Sequence, residues 1–239
     1  MGTTQPSLAA DFETTPTQTL RFASREDKNG TEEVLKRHLV RAVDLEPQSP
    51  SQTGSVPWSL GGLAGRVVEL SGTAEAPCLS LACSLLRQAQ EAGGFAVWVS
   101  AREDSFYPPD LAASGVDLRS LPVVRLPDSP SAGRAADWLL RTGAFCLLVL
   151  DLGRDLELSV GLQGRLAQLA RRQNDTVLIL TEKGRATPSL SSLVAVRAEA
   201  VRVRRPEGDY RCGVRFLKHK RRAPGMQPGE VFLGPPGLC

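Results

Sequence analysis

The chain has two histidines, two methionines, two tyrosines and three tryptophans in 239 residues. His38 and His219 are too few for a histidine-rich metal site, and they supply a histidine-based catalytic triad poorly. The five cysteines (Cys78, Cys83, Cys146, Cys212 and Cys239) are odd in number and form no CxxC pair. That argues against a disulfide framework and a zinc knuckle, and buried or inert thiols are expected. No apolar run reaches the roughly 18–20 residues needed to cross a bilayer, so no membrane role is expected. Residues 1–11 carry neither the basic nor the apolar stretch of a secretory leader, and a cytoplasmic protein is expected.

What is present is ordinary in bulk and uneven in detail. Apolar residues make up 41% and charged residues 23%, as in a globular protein, and the length suits one domain or one domain with an arm. The formal net charge is +3. Between Arg197 and Arg222 ten Arg and Lys face three acids, a local +7, so the rest of the chain sums to −4. Such a basic section suits a polyanion or an acidic partner, or is simply a solvated edge. Arg204, Arg205, Arg221 and Arg222 are its candidate phosphate contacts. Tyr210 and Phe216 are isolated within it, so it offers no stacking platform for single-stranded nucleic acid. Trp58, Trp98 and Trp138 read as core or core-edge residues.

Residues 1–57 read as a flexible arm with one helix at 31–45 and a Pro/Ser/Gly-rich linker at 46–57. Thr31 can cap that helix, and Leu35, Leu39 and Val43 share its apolar face, which makes it a candidate for gripping a partner. Residues 58–222 alternate strand-like and helix-like patterns. Short apolar strands are expected at 66–70, 95–99, 123–126, 145–150 and 176–180. Helical stripes lie between them, such as Leu81, Leu85, Leu86 and Ala89 before Gly93 and Gly94. The runs 194–203 and 210–217 flank the turn at 206–209 and read as an antiparallel hairpin. The fold class is therefore α/β: a mostly parallel twisted sheet flanked by helices, with an antiparallel C-terminal hairpin. Residues 223–239 are Pro/Gly-rich and read as an extended tail.

The first strand turns into the first helix of the sheet through GTAEAPCL, residues 72–79. A phosphate loop belongs at such a place, and it needs G-x-x-x-x-G-K-[ST]. Its glycines let backbone N–H groups surround the phosphates, its lysine neutralises them, and its hydroxyl holds magnesium. Here Gly72 is kept, but Pro77 takes the second glycine's place and has no N–H. Cys78 replaces the lysine and Leu79 the hydroxyl. Glu75 adds repulsion. Losing the charge-assisted lysine contact alone costs about 1.5–3 kcal/mol. No useful nucleotide binding, no cofactor and no metal are expected, and the chain reads as a non-enzyme.

At these residues the chain resembles the RecA recombinases. GRVVELSG (65–72) is similar to the RecA approach to its phosphate loop, and SGVDL (114–118) to the segment after the second core strand. The resemblance places Glu103 at or beside the catalytic glutamate and Asp151 at the magnesium-site acid of the Walker B strand. Without the lysine and the hydroxyl, both are expected to be vestigial, Glu103 as a surface carboxylate and Asp151 as a strand-end acid capping a turn. FLKHKRRAP (216–224) resembles the end of the RecA core, where two lysines like Lys218 and Lys220 reach across a filament interface. Lys218 and Lys220 are expected to point to one strand face together with Arg222. Lys183 stands about where a nucleotide-sensing glutamine is found.

The places that hold the DNA-binding loops in RecA are short here, after Asp151 and after Thr181. A RecA-like chain of this length with a degenerate phosphate loop resembles the ImuA family of bacterial mutagenesis cassettes. The resemblance implies a non-catalytic adaptor in SOS-induced translesion DNA synthesis. Its partners would be an ImuB-type Y-family polymerase homologue, RecA and an error-prone replicative-type DNA polymerase, with only weak DNA contact and nucleoid association under damage. A SulA-like inhibitor of cell division and a divergent RecA-family ATPase are the alternative readings.

Overall fold

The computed structural model describes residues 58–102, 106–204, 210–220 and 230–232. The expected arm with Leu35, Leu39 and Val43 lies outside the described residues, as do Glu103, Arg205, Arg221 and Arg222. Of Arg204 only the backbone is described.

Four strands are almost wholly buried: β1 (Arg66–Gly72), β2 (Ala96–Ser100), β4 (Leu147–Gly153) and β5 (Thr176–Glu182). Their residues are apolar on both faces because helices cover both faces, the usual state of a parallel sheet. A short β3 (Val123–Arg125) lies beside β2. After β5 come β6 (Val196–Arg204), β7 (Tyr210–His219) and β8 (Glu230–Phe232). The eight strands line up as β3-β2-β4-β5-β1-β6-β7-β8. All pairs from β3 to β6 are parallel, whereas β6–β7 and β7–β8 are antiparallel. The hairpin expected at the C-terminal end is thus present. Within the stretch expected to be an extended tail, Glu230–Phe232 pairs with Cys212, Gly213 and Val214, because the outer edge of β7 still offered unpaired backbone groups.

Alternation along each strand sends successive side chains to opposite layers. Trp98 and Ala96 pack under α1 (Leu60–Leu63), α2 (Cys78–Glu91) and α3 (Pro108–Ala113), with Trp58, Leu81, Leu85 and Leu86. Val97 and Val99 face the other way, toward α4 (Ser129–Arg141) and α5 (Val160–Gln173), with Ala136, Leu140, Leu162 and Leu166. Asp128 caps α4 by accepting the Ser131 N–H at 2.6 Å, and Ser159 caps α5 from Leu162 N–H at 3.3 Å. Asn174 ends α5 in the left-handed region at φ 62°. Neither α1 nor α3 was expected; four and six residues are too few to show a helical period.

Two expectations fail in the core. Trp58 and Trp98 are fully buried, but Trp138 is 75% exposed. The buried stripe of α4 runs through Ala132, Ala136 and Leu140, and position 138 falls on the opposite side of the helix. Cys212 is also not a free thiol. It is buried and disulfide-bonded.

Candidate functional site

Gly72, Asp151 and Glu182 lie at the carboxyl ends of three adjacent strands, β1, β4 and β5. Ligand crevices of open α/β sheets form there. Here the strand ends border a pocket of about 220 Å³, lined by Gly72, Cys78, Leu79, Arg102, Asp151 and Glu182 among others.

Residues 73–77 carry the chain from β1 into α2, and they fold back tightly on the strand. A Cβ at Gly72 would stand 2.3 Å from the Ala76 Cβ and 3.0 Å from the Cys78 Sγ, so only glycine fits. Two of the loop's amides serve the loop itself. Ala76 N–H donates to the Thr73 carbonyl at 2.9 Å and Cys78 N–H to the Ala76 carbonyl at 2.7 Å. Pro77, with no N–H to give, is the N-cap residue of α2 and makes no side-chain cap. Glu75 is exposed and lines an adjoining cavity with Arg154, Glu182 and Lys183.

Cys78 and Leu79 both line the pocket where a phosphate loop would place lysine and hydroxyl. Burial pushes the Cys78 thiol up to about 12, and the carboxylates of Asp151 and Glu182 push it the same way. The thiol is therefore neutral at physiological pH. Asp151 is buried, inside β4 rather than beyond its end. Its carbonyl accepts the Ala101 N–H at 2.9 Å, β4 continues past it to Gly153, and the residue borders the pocket. Glu182 carries the local cations. Arg154 donates to its Oε1 through Nε at 2.8 Å and Nη2 at 2.6 Å, and Arg102 lies 3.8 Å from Oε2. This bond, reinforced by the charge of Glu182, raises the Arg154 guanidinium above its ordinary value. Gly153, at φ 59°, leaves room for the Arg102 stem, which a Cβ would meet at 2.5 Å. The pocket thus joins acids and arginines of the chain to each other. Among the described residues no group of three or more His, Cys, Asp or Glu is placed to hold a metal ion.

The second polar cluster is one that sequence reasoning missed. Glu69, in the middle of β1, is fully buried and ion-paired to the buried Lys183. Its carboxylate also accepts from Thr181 Oγ1 at 3.2 Å, Ser189 Oγ at 2.9 Å and the Leu190 N–H at 3.1 Å. Lys183 donates further to the Pro188 carbonyl at 2.7 Å. Arg197 adds donations to the Thr187 carbonyl and, at 3.1 Å, to that of Gly184. These contacts pin the segment between β5 and β6. Lys183 is therefore part of a structural knot. A glutamate among the apolar residues of RVVEL was the available signal, since a buried charge requires a partner.

Lys218 belongs to the same neighbourhood. Its Nζ donates to the Ser191 carbonyl at 3.2 Å. Burial, and then the nearby charge of Lys220, lower its pKa, while Glu69 acts the other way. Lys220 is exposed and lies past β7, its N–H bonded to the Ala195 carbonyl at 3.0 Å. Lys218 belongs to β7 and Lys220 follows the strand's end at His219, near enough for its charge to act on Lys218. The basic residues of the hairpin and those of the phosphate-loop position are not brought into one site among the described residues.

No family model matches the chain. It is similar to several RecA proteins: 32% identical over 137 residues to Protein RecA of Picosynechococcus sp., covering 52% of this chain and 39% of that one. With Protein RecA of Rubrobacter xylanophilus it shares 34% identity over 156 residues, 58% of this chain and 45% of the relative. With that of Mycobacterium avium the figures are 35% over 144 residues, 54% and 41%. The chain thus spans less than half the length of these curated relatives. Together with the sheet described above, this similarity makes the fold a RecA-like α/β core with a parallel sheet, flanking helices and an antiparallel strand pair.

Proposed function

We propose that the protein is a non-catalytic RecA-like adaptor in SOS-induced translesion DNA synthesis. It binds an ImuB-type Y-family polymerase homologue and RecA, and works beside an error-prone replicative-type DNA polymerase. The observation that supports this reading most is the pocket at the phosphate-loop position. The lysine's place is taken by a thiol with its pKa near 12, beside the carboxylates of Asp151 and Glu182. An anion entering it would meet a neutral thiol in place of the ammonium and two carboxylates beside it, so the scaffold serves for contacts rather than for turnover.

Two measurements test the reading. Calorimetric titration with ATP and magnesium is expected to give no binding; micromolar, magnesium-dependent binding would restore the divergent ATPase. Pull-down from the cognate cassette is expected to recover the ImuB-type homologue, RecA or both. Failure with both, together with filamentation on overexpression, would transfer the assignment to a SulA-like division inhibitor.

A further inference from the structure

The helical layer formed by α4 and α5 has a charge pattern unlike the rest of the described fold. Its two helices carry five arginines (Arg134, Arg141, Arg165, Arg171 and Arg172) and one acid, Asp137. All five arginines are exposed, whereas Asp137 is 8% exposed. Asp137 is held between Arg141 at 3.0 Å and Arg165 at 3.4 Å, so it neutralises one charge of the five and presents almost nothing to solvent. On the opposite layer α2 carries Arg87 and Glu91, which pair with each other at 3.5 Å. The excess of positive charge therefore belongs to one face of the sheet.

That face also holds Trp138, the most exposed of the large apolar side chains among the described residues at 75%. Positions 134, 138 and 141 are spaced i, i+4 and i+7, so Arg134, Trp138 and Arg141 form one stripe along α4. Arg134 and Arg165 also line a groove of about 600 Å³ between α4 and the start of α5, with the buried Leu158 and Leu162 and with Glu157 the acid among its lining residues. Arg134 is thus common to the stripe and the groove. Guanidiniums at one-turn intervals beside an exposed indole, next to a groove that can hold a chain, match the two requirements of single-strand binding: charge along the backbone and a π-face for a base.

We infer that the α4–α5 face binds single-stranded nucleic acid, with a base stacked on Trp138 and phosphates held by Arg134, Arg141, Arg165 and Arg172. The inference stands apart from the adaptor reading, since it concerns the layer opposite α2 and needs neither nucleotide nor protein partner. Single-stranded nucleic acid is favoured over an acidic protein segment because the exposed aromatic lies within the arginine stripe, and because the arginines on α5 extend the charge beyond a single side chain's reach.

Trp58 and Trp98 are fully buried, so iodide-accessible fluorescence of the full-length chain reports on Trp138 among the described tryptophans. Titration with oligo-dT should protect that fluorescence from iodide, with an affinity that falls as salt rises. Trp138→Ala should weaken binding roughly 5- to 100-fold, and Trp138→Phe should restore most of it, since stacking contributes about 1–3 kcal/mol per base. Arg134→Ala and Arg172→Ala should each lower the slope of log affinity against log salt by about 1. Circular dichroism of each variant, all at exposed positions, should match the parent. Absence of oligo-dT binding, or binding that none of these variants alters, would overturn the inference. So would equal Trp138 protection by polyglutamate, which would assign the face to an acidic protein.

Discussion

Two buried carboxylates, Glu69 and Asp175, show how much a single ionisable side chain depends on its neighbours. Glu69 is fully buried with a cation and three hydrogen-bond donors around it. Removing one member of a buried pair leaves the other uncompensated, so Glu69→Ala is expected to cost about 3–5 kcal/mol in urea unfolding. Replacing both members, as Glu69→Ala with Lys183→Met, should recover much of that loss. An additive double mutant would show that the pair is not coupled. Asp175 has the opposite condition. Burial raises its pKa, and its Oδ2 has no hydrogen-bond partner among the described residues. A carboxyl whose folded pKa lies above its unfolded value binds protons more readily in the folded state. Its charge therefore destabilises the fold at neutral pH, and stability is regained as pH falls through the folded pKa. Asp175→Asn is expected to raise Tm at pH 7, with the difference shrinking as pH falls into the carboxylate range. A shift that is the same at both ends of a calorimetric pH series would refute that cause.

At the scale of elements, the loop between β1 and α2 is set by one close approach. Gly72→Ala would drive a methyl group into Ala76 and Cys78, and overpacking of this kind costs about 1–3 kcal/mol. Chemical denaturation should show the loss, and a neutral result would mean that the loop can open by itself. Restoring motif residues is a different matter. With Pro77→Gly, Cys78→Lys and Leu79→Thr combined, we expect no rise in Tm on adding ATP and magnesium, because Glu75, Asp151 and Glu182 still surround the loop and Arg154 remains on Glu182. A clear rise would place the whole defect in those three positions. α4 and α5 illustrate packing instead. A Cβ on Gly133 would lie 2.5 Å from Leu162 and 2.6 Å from Leu158, so the two helices are held close.

Over the whole molecule, much of the architecture was legible along the chain. Apolar runs, interrupted in β1 by Glu69, marked β1, β2, β4 and β5, and turn residues between two β-rich runs marked the β6–β7 hairpin, because burial on two faces and tight reversal each leave a compositional trace. The degenerate phosphate loop was legible for the same kind of reason: backbone amides, an ammonium and a hydroxyl are properties of residue types. The strand order, and with it the meeting of Gly72, Asp151 and Glu182, came from pairing between segments as far as 110 residues apart, which leaves no local signal. Tertiary packing also turned Trp138 outward, since its neighbours Ala136 and Leu140 took the buried side of α4. It tied Lys183 and Lys218 inward, where sequence position alone suggested exposed, functional cations. What the amino-acid sequence determined by itself was which elements form and which chemistry the phosphate-loop position lacks, because both depend on residue type and short-range order. Which charges meet, which are buried and which face remains open were decided only by the folded chain, because they depend on distances between residues that the sequence keeps far apart.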